Sequence, residues 1–327
     1  MPTVGVVIPV YRCVPFVRVC LESVVAQTHP VDQIVLVDDC GGDESVAVAT
    51  AVLTEHGREF TLVTQPRNGG LGRARNSGLA ALTTDLVWFL DSDDWVEAEF
   101  VEVLHDALEA AGAEFAVTRT RRVDPEGRLL QVDEAPIPGP IVTGVEYARE
   151  LVTGRAKGYA CTKLFRRNVL GDRPWAEDQA YEDIATSLRV ALSSDKVAMV
   201  NAPLYHYLYR EGSISTALSP ATFDLFAVEA EICELIADAG LTAQWSLEFT
   251  GFRYREVLTS IAYLAMREQH ATGRRSPLTR EAITRVRRTI DLRDIPVLFR
   301  GRHYREVVFG VGVKYAPALY SEILRWR

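Results

Sequence analysis

The sequence predicts an α/β protein, a doubly wound and mostly parallel sheet followed by a smaller all-helical domain. Three observations predict it. Over the first ninety residues, short apolar, β-branched runs alternate with segments whose apolar residues recur at helical spacing. Several of these runs stop abruptly at polar or acidic residues, as buried strands do when their carboxyl ends face a crevice. From Pro220 onward only helical spacing remains. The 327 residues suffice for two such domains, 1–217 and 218–327.

The elements follow in order. Val4 to Pro9 reads as a central strand, with Tyr11 just past its end, and the stripe at 16, 17, 20, 21, 24 and 25 makes a helix that His29-Pro30 stops. Gln33 to Val37 is a second strand closing on Asp38-Asp39, followed by Cys40-Gly41, a helix to about His56 and a strand from Phe60 to Thr64. A stretch rich in glycine and arginine, Arg67 to Leu79, then opens a helix. Leu86 to Leu90 is a buried strand that ends in Asp91-Ser92-Asp93-Asp94. A helix over 97–112 and a strand over 114–118 come next, and 119–140 is a loop or hairpin. Lys196 to Val200 and Leu204 to Tyr209 read as two further strands, and helices are expected over 222–239, 245–269, 279–290 and from Tyr304 onward.

Composition narrows the functional classes. The net charge is −8, but residues 267–327 hold fourteen Arg and Lys against six Asp and Glu, a balance of +8 that leaves −16 on the rest. Such a tail suits an anionic polymer, a membrane surface or another subunit, and a solvated helical face is the simpler reading. Without interleaved aromatics or a recognisable module, nucleic acid is not the expected partner. Five cysteines without a Cys-x-x-Cys pair point to reduced buried thiols rather than disulfides or zinc. The amino end lacks a leader-like pattern, so the expectation is a cytoplasmic protein, with the inner membrane face as an alternative place for the basic tail.

Two carboxylate groups draw attention. Asp91, Asp93 and Asp94 follow a core strand, where mutual repulsion calls for a compensating cation; a hard divalent ion, Mg²⁺ or Mn²⁺, bound to phosphates would supply one. Capping of the following helix is the other reading. Glu177-Asp178 and Glu182-Asp183 precede a later helix, where an acid can serve as general base or simply favour a helix amino end. Between them, the glycines at 69, 70 and 72 let backbone approach a ligand, and Arg73 and Arg75 suit a diphosphate, with Arg75 favoured for its small neighbours. No Gly-Lys-Ser/Thr follows, and no Gly-x-Gly-x-x-Gly closes the first strand, which disfavours P-loop and nicotinamide folds.

Taken in order, Pro9, Tyr11, Asp38-Asp39, Asn68 to Asn76 and Asp91 to Asp94 resemble family 2 nucleotide-sugar glycosyltransferases of the GT-A fold, strongly over about residues 1–115 and more loosely to 215. The resemblance implies an inverting enzyme that takes a nucleoside diphosphate sugar, a UDP-sugar, to a glycan, polymer or small-molecule acceptor. Pro9, Tyr11 and Asp39 would line the base pocket, Asn68, Gly70 and Arg75 would hold the nucleotide, and Asp91 would contact ribose or the metal. Asp93 would bind Mn²⁺ or Mg²⁺, Asp94 would position the sugar, and Arg210, Ser213 and Ser215 would close over the diphosphate. Tyr159 and Lys163 would face the acceptor, and Asp183 would be the base, with Glu182 second. Cys40-Gly41 stands where the family usually has Gly-Ser. The helical domain would serve acceptor binding, oligomerisation or peripheral membrane contact.

Overall fold

The computed structural model describes residues 1–210, 216–318, 320 and 322. One compact unit comprises Met1–Leu151 with Arg155–Tyr209, and a second comprises Val152–Gly154 with Arg210–Arg327. The expected division after 217 falls inside the second unit.

In the first unit the strands are β1 (Val4–Val10), β2 (Gln33–Asp38), β3 (Thr61–Thr64), β4 (Leu86–Phe89), β5 (Trp95–Val96), β6 (Phe115–Val123), β7 (Leu129–Val132), β8 (Ile141–Thr143), β9 (Lys163–Arg166) and β10 (Lys196–Leu208). They form one sheet in the order β3-β2-β1-β4-β9-β6-β10-β5, with β7 on β6 and β8 on β10. The helices are α1 (Val17–Val25), α2 (Ser45–Glu55), α3 (Gly70–Ala81), α4 (Phe100–Ala111), α5 (Gly144–Thr153) and α6 (Glu182–Leu192).

The first four strands pair in parallel, as the alternating pattern predicts. Beyond them the sheet is mixed, because β9 lies antiparallel between β4 and β6. Two antiparallel neighbours restore the direction, so β6 and β10 run with β4 and all their carboxyl ends reach one edge.

Every residue of β1 is buried, including Pro9. A proline in a central strand would ordinarily forfeit a ladder bond. Here Val7 accepts from Leu90 on the β4 side and Val10 accepts from Asp39 on the β2 side, so odd positions of β1 bond toward β4. The β4 pairing ends at Val7–Phe89, and the N–H that Pro9 lacks has no strand opposite it.

Two expectations change and one open reading is resolved. The two strands read at 196–200 and 204–209 are one strand, β10, whose register slips around Pro203. The 119–140 segment is a hairpin, with β6 running on to Val123 and pairing β7. Cys13, Cys20 and Cys161 are buried thiols as expected, but Cys40 and Cys233 are exposed.

The second unit contains α7 (Asp224–Asp238), α8 (Ser246–Phe252), α9 (Thr259–Thr272), α10 (Pro277–Thr289), α11 (Asp294–Arg300) and α12 (Tyr304–Tyr315). A π-helical turn, Arg253–Leu258, joins α8 to α9, so the helix read over 245–269 is continuous. Gly273 ends α9 in the left-handed conformation (φ 66°), and Ser276 caps α10 by accepting from the Thr279 N–H at 3.0 Å, with Pro277 at the first helical position. The sequence pattern missed α11. No described helix is long and apolar enough to cross a membrane.

Candidate active site

The carboxyl ends of β1, β2 and β4 place Tyr11, Asp38-Asp39 and Asp91 to Asp94 on one edge, around the point where the chain passes from β1's one flank to the other. That is where open α/β sheets bind ligands.

On the β2 side, the buried Asp39 carboxylate accepts from the backbone N–H of Gly69 at 2.8 Å and of Gly70 at 3.1 Å, anchoring the start of α3. Burial raises its pKa, against those two hydrogen bonds. Asn68, exposed, also accepts from Gly70 N–H, through Oδ1 at 3.2 Å. Asp38 accepts from the Cys40 N–H at 2.9 Å and holds the loop. Cys40 itself is left-handed (φ 56°), a conformation glycine takes more readily, and its thiol ties to the Gln65 carbonyl at 2.9 Å. A shallow cavity of about 260 Å³ opens here, lined by Val10, Asp38, Cys40 and Gly41 among others. Tyr11 is exposed beside it. Arg12, which the sequence reading passed over, lies over the Tyr11 ring at 5.3 Å and donates to the Gly41 carbonyl at 3.1 Å, again from a left-handed backbone (φ 47°).

The arginines of α3 do not line an open face. Arg75 is 1% exposed; its Nη2 donates to Asp91 Oδ1 at 2.8 Å and its Nη1 to Glu182 Oε1 at 2.6 Å, with the guanidinium 5.1 Å over Trp175. Both terminal nitrogens of this sequence-predicted nucleotide contact thus serve carboxylates of the fold, while its Nε has no hydrogen-bond partner among the described residues. Arg73 pairs with Glu177 and Asp178, and Asn76 donates to the Trp175 carbonyl at 2.8 Å and to Glu177 at 3.0 Å. The close approach depends on Gly72, where an added Cβ would overlap the Ala176 carbonyl oxygen. Gly72→Ala should therefore lower thermal stability by about 1–3 kcal/mol, the usual cost of overpacking; an unchanged melting temperature would contradict the tight α3 packing.

At the end of β4, Asp94 also turns inward. Its oxygens accept from the Tyr205 hydroxyl at 2.5 Å and the Leu208 N–H at 2.8 Å, so it fastens β10 to the acidic turn instead of reaching a sugar. Burial lifts its pKa well above the usual carboxylate range. Asp91, Asp94 and Cys161 have ligand atoms within 4.8 Å of one another. A buried thiol is a poor donor for a hard cation, however, and Asp94 is already hydrogen-bonded. The residues that fit Mg²⁺ or Mn²⁺ are the half-buried Asp93 and Asp91, whose Oδ2 has no partner among the described residues.

The second carboxylate group arrives through α6. Its amino end is wedged between the Gly158 turn and Pro174, with Ser187 donating to the Gly158 carbonyl at 2.5 Å and Thr186 to the Pro174 carbonyl at 2.9 Å. Asp183 is half-buried there; burial raises its pKa, while Arg75 and Lys163 oppose the rise and Asp91 adds to it. Glu182 is more deeply buried, and burial outweighs Arg75 to lift it to about 7. Lys163 is fully buried and donates to the carbonyls of Lys157 at 3.1 Å and Tyr159 at 2.6 Å, so its amine is not presented to an acceptor. Burial lowers its pKa to about 8. Tyr159 stacks on Tyr207 at 5.9 Å and donates to Asp133 at 3.1 Å. His206 pairs through Nε2 with Glu97 at 3.0 Å and stacks on Trp95, while its buried Nδ1 has no hydrogen-bond partner among the described residues. Arg210 belongs to the second unit, and Ser213 and Ser215 lie outside the described residues.

A mixed sheet with acidic turns at the carboxyl ends of its first strands, tied through Arg75 to a second carboxylate group at the start of α6, is the GT-A architecture. Residues 5–173, just over half of the chain, match Glycosyl transferase family 2, and the chain belongs to that family. Among curated relatives, it is 29% identical over 226 residues to the putative glycosyltransferase EpsH of Bacillus subtilis, covering 65% of this chain and 62% of EpsH. It is likewise 29% identical over 219 residues to the glycosyltransferase GlyA of Streptococcus pneumoniae, covering 65% of this chain but 31% of GlyA. The chain thus spans less than two thirds of either relative. The crystal structure of S. aureus TarS 1-349 in complex with UDP-GlcNAc has the same fold, with a TM-score of 0.69 at 18% identity over 95% of this chain and 90% of that one.

Proposed function

We propose that the chain is an inverting glycosyltransferase that moves a sugar from a nucleoside diphosphate sugar, a UDP-sugar, to an acceptor hydroxyl. The observation that carries this reading is Arg75, which joins Asp91 at the end of β4 to Glu182 at the start of α6 and so ties the two carboxylate groups to each other. In-line displacement needs that arrangement, with charge neutralisation on the leaving-group side and a base on the acceptor side. Asp183 takes the acceptor hydroxyl proton, the oxygen bonds to the anomeric carbon, and the bond to the diphosphate breaks with its electron pair leaving on phosphate. Mn²⁺ or Mg²⁺ held by Asp93 and Asp91 would supply positive charge to the departing diphosphate.

In this reading Pro9 and Tyr11 flank the base, Asp39 shapes that pocket through the start of α3, and Asn68 and Gly70 border the nucleotide. Arg210 and Ser213 are assigned to the diphosphate on sequence grounds. The UDP-GlcNAc bound by the TarS fold neighbour supports a uridine donor. The acceptor is a glycan, polymer or small molecule, and membership of succinoglycan biosynthesis by the Rhizobium meliloti relative ExoO is in keeping with surface glycans.

A screen of nucleoside diphosphate sugars by thermal shift and slow hydrolysis, with and without Mn²⁺ or Mg²⁺, tests the proposal. One UDP-sugar should stabilise the protein only with metal present and release UDP. No response to any nucleotide sugar with metal would sink it, and binding without UDP release would make the chain a binding protein.

A further inference from the structure

Helix α12 is apolar on two sides. Phe309 and Val313 are buried on one, as a packed helix requires. On the other, Tyr304, Val308, Val311 and Tyr315 are 52%, 61%, 42% and 66% exposed. At 100° per residue these four fall within about 60° of one another, a single outward stripe. Phe299 at the end of α11, 61% exposed, meets the Tyr304 ring edge-on at 5.4 Å and lengthens the patch. Singly exposed apolar residues are ordinary, but a contiguous row with two tyrosines and a phenylalanine marks a surface that something covers.

Charge identifies what covers it. Arg300, Arg302 and Arg305 are exposed around the start of the stripe, and none forms an ion pair with a described residue. At its far end, Lys314 donates to the carbonyls of Arg287 and Ile290, each at 2.8 Å, and Arg287 donates back to the Lys314 carbonyl at 3.0 Å, which brings the exposed Arg288 of α10 alongside with no carboxylate partner among the described residues. On the helical projection Arg305 and Lys314 flank the stripe on opposite sides, while Glu306, the acid of α12, lies on the far side. Apolar and aromatic groups bordered by unpaired cations match the interface of an anionic bilayer, where the ring bodies enter the acyl boundary and guanidinium groups meet phosphate. A protein partner would be expected to present acids to the arginines; two acids of the second unit beside α11, Asp291 and Asp294, already pair with Arg293 and Arg253.

We propose that the outer face of α12, extended by Phe299, docks the protein peripherally on an anionic membrane surface. This surface belongs to the second unit, and its proposed role does not depend on the activity proposed for the first.

The test is co-sedimentation of the full chain with large vesicles of phosphatidylcholine alone or with about one third phosphatidylglycerol. Binding should rise at least roughly ten-fold with the anionic lipid and fall as salt is added. Val308→Ser with Tyr315→Ser should weaken binding to anionic vesicles by about ten-fold or more, as should Arg302→Glu with Arg305→Glu, with the circular dichroism and melting temperature kept. Equal binding to both vesicle types, or no binding to either, would overturn the proposal. So would a dimer in solution that the serine variant dissociates while vesicle binding stays absent, since the stripe would then be covered by a second copy.

Discussion

Asp183→Asn is expected to lower sugar transfer by roughly 10²–10⁴-fold, the range that a positioned general base contributes, while leaving metal-dependent nucleotide binding intact. Asp93→Asn should abolish transfer and weaken that binding as well, because its carboxylate is assigned to the leaving-group side. Equal nucleotide affinity in the two variants would contradict the division of roles. The pH dependence gives a second readout. Asp183 accepts a proton only when ionised, and burial raises its pKa, so the rate should climb with pH along an acidic limb displaced above the ordinary aspartate range. A limb at the ordinary position, or one unmoved in Asp183→Asn, would transfer the role elsewhere. Glu182 is the weaker candidate, because Oε1 is held by Arg75 at 2.6 Å and the side chain is buried.

The largest stability effect is expected at Arg75. Replacing it with methionine keeps much of the volume but leaves Glu182, with a side chain 5% exposed, without its cation. Removing one partner of a buried ion pair costs about 3–5 kcal/mol, a fall in melting temperature of the order of 10 °C for a domain of this size. Adding Glu182→Gln should recover a large part, since a neutral amide needs no counter-charge; Asp91, at 23% exposed, can turn to water. If Arg75→Met left the melting temperature alone and removed nucleotide binding, the guanidinium would be a ligand group after all.

These two residues also mark the limit of sequence reading here. The alternation of β-branched runs with helical stripes, the proline and acid at strand ends, and the change to helix after Pro220 were legible because burial imposes periods of 2 and 3.6 on neighbouring residues. The acid cluster at 91–94 was legible for the same reason, as a break in a core strand. What periodicity does not encode is pairing across more than a hundred positions. Nothing local distinguishes an arginine that meets phosphate from one that meets Glu182, or an aspartate facing a sugar from one held by Tyr205 and Leu208. Lys163 is a similar case: the sequence around it resembles an acceptor-side segment, while β9 inserts antiparallel between β4 and β6 and turns the amine toward the Lys157 and Tyr159 carbonyls.

The sequence by itself therefore determined the alternating elements of the first ninety residues, the change to helix after Pro220, and the strand ends where acidic residues gather. The tertiary structure alone decided which of those charges face the crevice and which neutralise one another beneath it. The physical reason is desolvation. A charge taken out of water must find its opposite in the fold, and that partner is set by how the strands order and how α3 and α6 pack, not by its neighbours in the chain.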